Sequence, residues 1–222
     1  MDIGVDIGGT FTDLVMNLDG ELKLHKLLST PENPAQAMLT GLNAMSSQTR
    51  TKLHRIAHGT TVATNAILER KGARIAFITT QGFRDILFIG RQERPDLYAL
   101  VPQLPPPLVP RSLCYEVPER LDHTGAVLTP LDLVALDHIL DDIGQQKVDA
   151  IAVCFLFSYL NPLHERAVKN RIVSRGLLSE WQIALSSDVL PEFREYERAS
   201  TVVLDAYVRP VINRYFTGTL SV

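Results

Sequence analysis

The stretch Ile3-Gly4-Val5-Asp6-Ile7-Gly8-Gly9-Thr10-Phe11-Thr12-Asp13 decides how this chain is read. Apolar residues alternate up to Asp6, as in a buried strand, and a Gly-Gly-Thr turn follows at once. Two glycines let the backbone bend with its amides bare, so that a phosphate can sit on N–H groups without side-chain obstruction. Thr10 and Thr12 add hydroxyl donors. Asp6 and Asp13 are placed to hold a metal ion or orient a water, and carboxylates beside phosphates suit magnesium. The competing reading is a plain strand, turn and strand with no ligand. Two aspartates and two threonines interleaved in one short run favour the phosphate loop. It is not a Walker A loop, because no Gly-Lys-Ser/Thr follows. Nor do Gly4, Gly8 and Gly9 have the spacing of a dinucleotide fingerprint ahead of a helix; Phe11 to Leu18 is β-like.

Outward from this run, 222 residues with 45% apolar content can bury a substantial core as one large domain or two small ones. A net charge of −3 without a basic tract argues against a general binder of nucleic acid or acidic membranes. Cys114 and Cys154 lie 40 positions apart without a C-x-x-C pair, so both are expected as free thiols in a reducing compartment. No leader or membrane-spanning stretch is visible, which makes the cytoplasm the expected location.

Asn17 to Glu21, with Asp19-Gly20, marks a hairpin, so the first three strands should form an antiparallel meander. Pro31 and Pro34 introduce a helix to about Ser46, with Ala37, Met38, Gly41, Leu42 and Met45 on one face. A short strand is expected at Leu53 to Ala57, a helix from Thr61 to Lys71 stopped by Gly72, and a buried strand at Arg74 to Thr79. The prolines between Pro95 and Pro110 predict an irregular or extended segment. Ser112 to Leu128 reads as two strands joined at His123-Thr124-Gly125. A helix from Pro130 to Gln146, a strand at Val148 to Phe155, a helix from Pro162 to Gly176 and a strand at Gln182 to Ser186 give α/β alternation. Glu192 to Tyr207 is expected to be helical, with Phe193, Tyr196, Ser200, Val203 and Tyr207 in a stripe, and Tyr207 to Val222 reads as a helix or its continuation.

His58-Gly59-Thr60-Thr61 is expected as a glycine turn into a helix, with Thr60 or Thr61 as N-cap: either a second anion or carbonyl site, or a capped helix with a half-buried histidine. Asn65, one turn along, can point back to that loop. Arg84, Arg91 and Arg94 bring three guanidinium groups into one short stretch, either to grip an anionic substrate or ATP, or as a solvated, ion-paired loop. Glu192, Arg194, Glu195, Glu197 and Arg198 read mainly as solvated ion pairs.

Taken together, GVDIGGTFTDLV at Gly4 to Val15, HGTTVATNAILERKGA at His58 to Ala73, TTQGFRDILFIGRQERPDLY at Thr79 to Tyr98 and LPEFREYERASTVVLDAYVRP at Leu190 to Pro210 resemble the N-terminal region of the hydantoinase A and 5-oxoprolinase family, which includes ATP-binding subunits of acetone and acetophenone carboxylases. The resemblance implies an α/β fold: a ribonuclease-H-like lobe of the actin and sugar-kinase ATPase superfamily with an inserted α/β subdomain. It divides the chain into residues 1–80 with the phosphate loop, residues 81–190 as the insert, and residues 191–222 as a helical return to the lobe. ATP and magnesium are the implied cofactors. Asp6 and Asp13 become the catalytic candidates, with Asp6 toward magnesium, and Gly8, Gly9, Thr10 and Thr12 the phosphate cradle. His58, Thr60, Thr61, Asn65, Arg91 and Arg94 become candidates for substrate contacts.

The implied activity is ATP-dependent hydrolysis of a cyclic amide such as hydantoin, N-methylhydantoin or 5-oxoproline, with the ring carbonyl activated by phosphorylation. The implied partner is a hydantoinase B type subunit. Family chains carry a second lobe with another phosphate loop, and no second aspartate plus Gly-Gly-Thr run occurs here. The chain alone is therefore expected to be a fragment or one half of a split protein, with little or no activity of its own. Alternatives are the ATP-binding subunit of a ketone carboxylase, a sugar-kinase-like phosphotransferase, and a non-catalytic assembly module.

Overall fold

The computed structural model describes residues 1–18, 20–30, 34–46, 54–93, 98, 100 and 105–220. They fall into two compact units: Met1–Lys71 with Val211–Val222, and Gly72–Pro210.

The first unit holds β1 (Asp2–Ile7), β2 (Phe11–Leu18), β3 (Glu21–Leu28), α1 (Pro34–Ser46), β4 (Arg55–Thr60) and α2 (Val62–Leu68). Its sheet has the order β3-β2-β1-β4, with the expected antiparallel meander and β4 parallel to β1. Gly20, at φ 95°, turns β2 into β3, and its N–H donates to Asn17 Oδ1 at 3.0 Å. Asp19 of that turn lies outside the described residues, as do Pro31 and Leu53. One sheet face buries Ile3, Val5, Ile7, Leu14 and Met16 against Met38 and Met45 of α1 and Tyr215. The apolar stripe expected on α1 is the buried one, and α1 approaches β2 so closely that a Cβ at Gly41 would lie 2.5 Å from Leu14 Cδ1. The opposite face carries Phe11, Val15, Leu22, Leu24 and Leu28, between 36% and 81% exposed.

The second unit contains β5 (Ile75–Thr80), α3 (Ile86–Ile89), β6 (Cys114–Val117), β7 (Arg120–Leu121), β8 (Val127–Thr129), α4 (Leu133–Gln146), β9 (Ala150–Cys154), α5 (Leu163–Ser174), β10 (Ile183–Leu185), α6 (Ser186–Val189) and the greater part of α7 (Glu195–Leu220). A parallel sheet of order β10-β9-β5-β6 forms its centre. Strands enclosed in a parallel sheet read as unbroken apolar runs, and β5, β9 and β10 are buried at every position. Asp132 caps α4, its carboxylate accepting from the N–H groups of Val134 and Ala135 at 3.0 Å, and Leu136, Leu140 and Ile143 carry the helix into the core.

Several expectations are corrected. The strand expected at Leu53 to Ala57 runs to Thr60, so His58 and Gly59 are strand residues rather than a turn. The helix expected to reach Lys71 ends at Leu68, and Arg70, at φ 54°, turns left-handed ahead of the stop expected at Gly72. Gly72 serves space instead: a Cβ there would lie 2.1 Å from the Tyr207 ring. The two strands expected over Ser112 to Leu128 are three, because β6 joins the parallel sheet while β7 and β8 form a separate hairpin. The divisions expected after residues 80 and 190 fall after 71 and 210: β5 pairs with β6 and β9, and α7 stays with that sheet through Ala73 N–H donating to Tyr207 O at 2.9 Å and Arg209 Nη1 donating to Ile183 O at 3.0 Å.

Arg198, expected in a solvated ion pair, is 1% exposed. It donates to Ser158 Oγ at 2.9 Å and Phe155 O at 2.5 Å. Beside it the buried Glu165 accepts from Phe155 N–H at 3.0 Å, Ser186 Oγ at 2.6 Å and Ser187 Oγ at 2.7 Å, just past the carboxyl ends of β9 and β10. Both cysteines are free and buried, as expected of free thiols, and burial pushes Cys114 up to about 11 and Cys154 up to about 12, so neither offers a thiolate nucleophile at neutral pH.

Gly72→Ala tests the packing of α7. Overfilling a tight contact costs about 1–3 kcal/mol, so the variant should melt several degrees lower. An unchanged melting midpoint would show that the Tyr207 ring yields freely.

Candidate functional site at the first bend

Side-chain alternation builds the site. With Ile3, Val5 and Ile7 facing the core, Asp6 must project from the other face of β1, and the burial of Thr12, Leu14 and Met16 does the same for Asp13 on β2. Register then aligns Lys26, Asp13, Asp6 and Gly59 in one row across the sheet. Lys26 Nζ lies 2.8 Å and 3.2 Å from the two Asp13 oxygens, so that carboxylate is already committed. Asp6 has open space at its side, because a Cβ at Gly59 would sit 3.4 Å from Asp6 Oδ1. A shallow concavity of about 460 Å³ lies over this row.

The bend between β1 and β2 is closed by Gly8 N–H donating to Phe11 O at 2.9 Å. Ser29, which the sequence reading missed, braces it: its N–H donates to Thr10 O at 2.9 Å, its hydroxyl donates to Gly8 O at 2.8 Å, and the same hydroxyl contacts Thr12 Oγ1 at 3.0 Å. Among the described residues no hydrogen bond engages the amides of Gly9 and Thr10. Neither Gly8 nor Gly9 has a positive φ; Gly8 is there for room, since a Cβ would lie 3.1 Å from Phe11 O, whereas a Cβ at Gly9 would make an ordinary contact 3.5 Å from Asn65 Nδ2. Thr12 is fully buried with its hydroxyl on Ser29, which places it behind the bend rather than on its surface. A lone serine after a strand carries no sequence signal; only the meander's register could have pointed to it.

β4 delivers Thr61 to the same place, its N–H and hydroxyl both 3.4 Å from Ile7 O. Thr61 precedes α2 without a side-chain cap bond, while Thr60 Oγ1 accepts from Val62 N–H at 3.3 Å. Asn65 Nδ2 donates to Thr61 Oγ1 at 3.3 Å. A cavity of about 250 Å³ opens here, with Gly8, Gly9, Ser29, Thr61, Asn65 and Lys71 in its lining.

His58 is elsewhere. It pairs with Val5, which puts it on the core face, away from Asp6. Its ring stacks on Tyr215 with centroids 5.5 Å apart, and the Tyr215 hydroxyl meets Nε2. Burial pushes the imidazole below its ordinary 6.5, opposed by the Val5 backbone and the Asp6 charge. Arg91 belongs to the second unit, where its Nε lies 3.0 Å from Glu197 Oε1. Arg94 lies outside the described residues. Among the described residues no three His, Cys, Asp or Glu side chains gather as a metal site, and no helix is long and apolar enough to cross a membrane.

The family described as the hydantoinase/oxoprolinase N-terminal region matches residues 2–176. The chain belongs to this family. An uncharacterised protein of Methanocaldococcus jannaschii is 38% identical over 99% of this chain and 32% of its own length. The caprolactamase alpha subunit of Pseudomonas jessenii is 34% identical over 96% of this chain and 32% of its own length. The crystal structure of the ATP-dependent caprolactamase from that organism superposes with a TM-score of 0.85 at 32% identity, covering 98% of this chain and 33% of that one. Nucleotide-free acetone carboxylase also gives 0.85, at 25% identity, over 99% of this chain and 34% of the other. This member of the hydantoinase/oxoprolinase family thus spans about a third of the length of these relatives.

The His58 environment sets a pH dependence. Above about 6.5 the imidazole is neutral in both folded and unfolded chains, and its contribution to stability is complete. As pH falls through that value the unfolded chain takes up a proton that the folded chain resists, so stability is lost on the acid side. Between pH 7.5 and 5.5 the melting midpoint should fall more for the unaltered chain than for His58→Phe, which keeps a ring against Tyr215; equal falls would show an imidazole that titrates normally.

Proposed function

We propose that the first unit is the phosphate-binding lobe of an ATP-dependent enzyme that phosphorylates the carbonyl oxygen of a cyclic amide before water opens the ring. The carrying observation is the braced bend, with the Gly9 and Thr10 amides unengaged immediately beyond the exposed Asp6. Oriented amides at a turn form an anion-binding concavity, and phosphoryl transfer asks of a protein mainly positioning and charge neutralisation. The order β3-β2-β1-β4, with β4 parallel to β1, supports reading this unit as a ribonuclease-H-like lobe and the second unit as its α/β insert. A second lobe would then belong to the two thirds of the relatives' length that this chain does not span, and a hydantoinase B type subunit would be the partner. ATP use fits the cytoplasm.

In this reading the Gly9 and Thr10 amides and the Thr10 hydroxyl receive phosphate oxygens, while Thr12 works through Ser29. Magnesium binds through one or two carboxylates together with phosphate oxygens and its own waters. The residues fit: Asp6, with free space beside it, would hold the ion, and Asp13, neutralised by Lys26, sets the charge next to it. Magnesium, when bound, neutralises phosphate charge. An unstrained amide carbonyl is a poor electrophile. Transfer of the terminal phosphoryl group to its oxygen releases ADP, water adds to the carbon, and the ring C–N bond breaks as nitrogen takes a proton. The acyl phosphate so formed is hydrolysed to carboxylate and phosphate. The likeness to acetone carboxylase supports a second reading in which the same loop serves phosphorylation of a ketone enol or bicarbonate.

Calorimetric titration with magnesium-ATP tests this. Asp6→Ala should weaken binding at least ten-fold, about 1.4 kcal/mol. Equal binding by both chains removes Asp6 from its assigned role, and no binding by the unaltered chain removes the bend from nucleotide binding.

A further inference from the structure

The cavity beside the bend has features that the phosphate reading does not use. Its volume of about 250 Å³ falls below the roughly 300–1,000 Å³ of pockets for drug-sized ligands, so it suits a single small ring rather than a nucleotide. Ile7, Val62, Ala66 and Val211 give it apolar walls. Its two charged groups, Glu69 and Lys71, neutralise each other at 2.8 Å, which leaves no net charge to attract an ion. Its neutral polar side chains are Ser29, Thr30, Thr61 and Asn65; the hydroxyls of Ser29 and Thr61 donate to Gly8 O and Ile7 O, and Asn65 brings the one carboxamide. A carboxamide has two N–H donors and a carbonyl acceptor, and only one donation, to Thr61 Oγ1, is formed.

We infer that this cavity is the acceptor subsite, and that Asn65 selects a cis-amide by pairing edge to edge with it. A small ring forces its amide to be cis, so N–H and C=O lie on one edge. That edge meets a carboxamide in two mutual hydrogen bonds, the lactam N–H donating to Asn65 Oδ1 and Asn65 Nδ2 donating to the lactam oxygen. An open-chain secondary amide is trans and presents the two groups on opposite sides, so it makes one bond at most. A cyclic ketone has the oxygen but no donor, and leaves the Asn65 carbonyl unpaired in a partly apolar pocket. Orientation follows from the same residue. Asn65 Nδ2 is the atom nearest the missing Cβ of Gly9, so the oxygen it holds is directed toward the bend where the phosphoryl group is proposed. The inference rests on the phosphate reading for its chemistry, but the subsite can be probed without nucleotide.

Three probes of similar size separate the possibilities: 2-pyrrolidinone, cyclopentanone and N-methylacetamide, titrated into the 222-residue chain and followed by amide chemical shifts. The lactam should bind at least five-fold more tightly than either comparator, with shifts centred on Gly9, Val62, Asn65 and Ala66. Asn65→Leu, which keeps the size of the side chain, should erase that preference, and Ala66→Phe should abolish binding of all three by filling the space. The shift map of the unaltered chain keeps the test decisive should a variant fold poorly. Equal binding of the three probes, no binding, or shifts centred elsewhere overturns the subsite. Selective lactam binding without magnesium-ATP binding would uphold the subsite and overturn the phosphate reading; the reverse outcome does the opposite.

Discussion

Burial of Ile3, Val5 and Ile7 on one face of β1 is the constraint on which the first unit depends. A strand has only two faces, so the residues between them, Asp6 included, are driven outward whatever their chemistry. The same rule on β2 sends Asp13 outward, and antiparallel register sets it opposite Asp6. A slip of one residue would bury both carboxylates, at a cost far above any single contact, so the hydrophobic layer holds the polar row in place.

Ser29 converts this scaffold into a defined bend. One hydroxyl and one amide just past the end of β3 reach back to the Gly8 and Thr10 carbonyls of the β1–β2 connection, so the third strand of the meander shapes the link between the first two. The Gly8 and Thr10 carbonyls are thus satisfied by Ser29, while among the described residues no hydrogen bond engages the Gly9 and Thr10 amides. Thr12 contributes from inside, its hydroxyl on Ser29 rather than on the surface of the bend.

Much of this was legible in the sequence. Period-two alternation and the Gly20 turn gave the meander, and the unbroken apolar runs gave β5, β9 and β10. Of the candidate site, the geometry was legible at the first bend: alternation turns Asp6 away from the core, and the glycine pair lies in the connection between β1 and β2. It was misread where glycine served space rather than conformation: Gly59 and Gly72 looked like turn signals, yet one makes room for the Asp6 carboxylate and the other for the Tyr207 ring. Long-range partners were invisible. Nothing local announces that Arg198 will be buried on Ser158 and the Phe155 carbonyl, or that β5 will pair with strands tens of residues downstream rather than with the meander. His58, read from the sequence either as a ligand contact or as a half-buried histidine, is half-buried: strand parity sets it on the core face against Tyr215.

β3 has a bearing on how the chain behaves in the test tube. It is an edge strand, and its water-facing side is a ladder of leucines, Leu22, Leu24 and Leu28, broken by Lys26. Such an edge is adhesive, since among the described residues it has no strand on its outer side and offers backbone groups and greasy side chains together; with Lys26 spent on Asp13 at 2.8 Å, Lys23 is the electrostatic fence that keeps two copies from zipping together. Fences of this kind act over about a Debye length, roughly 10 Å at 0.1 M salt and 3 Å at 1 M. Concentrated salt therefore lowers the fence while leaving the ladder intact, and dilute, low-ionic-strength buffer is the condition under which this strand stays solitary.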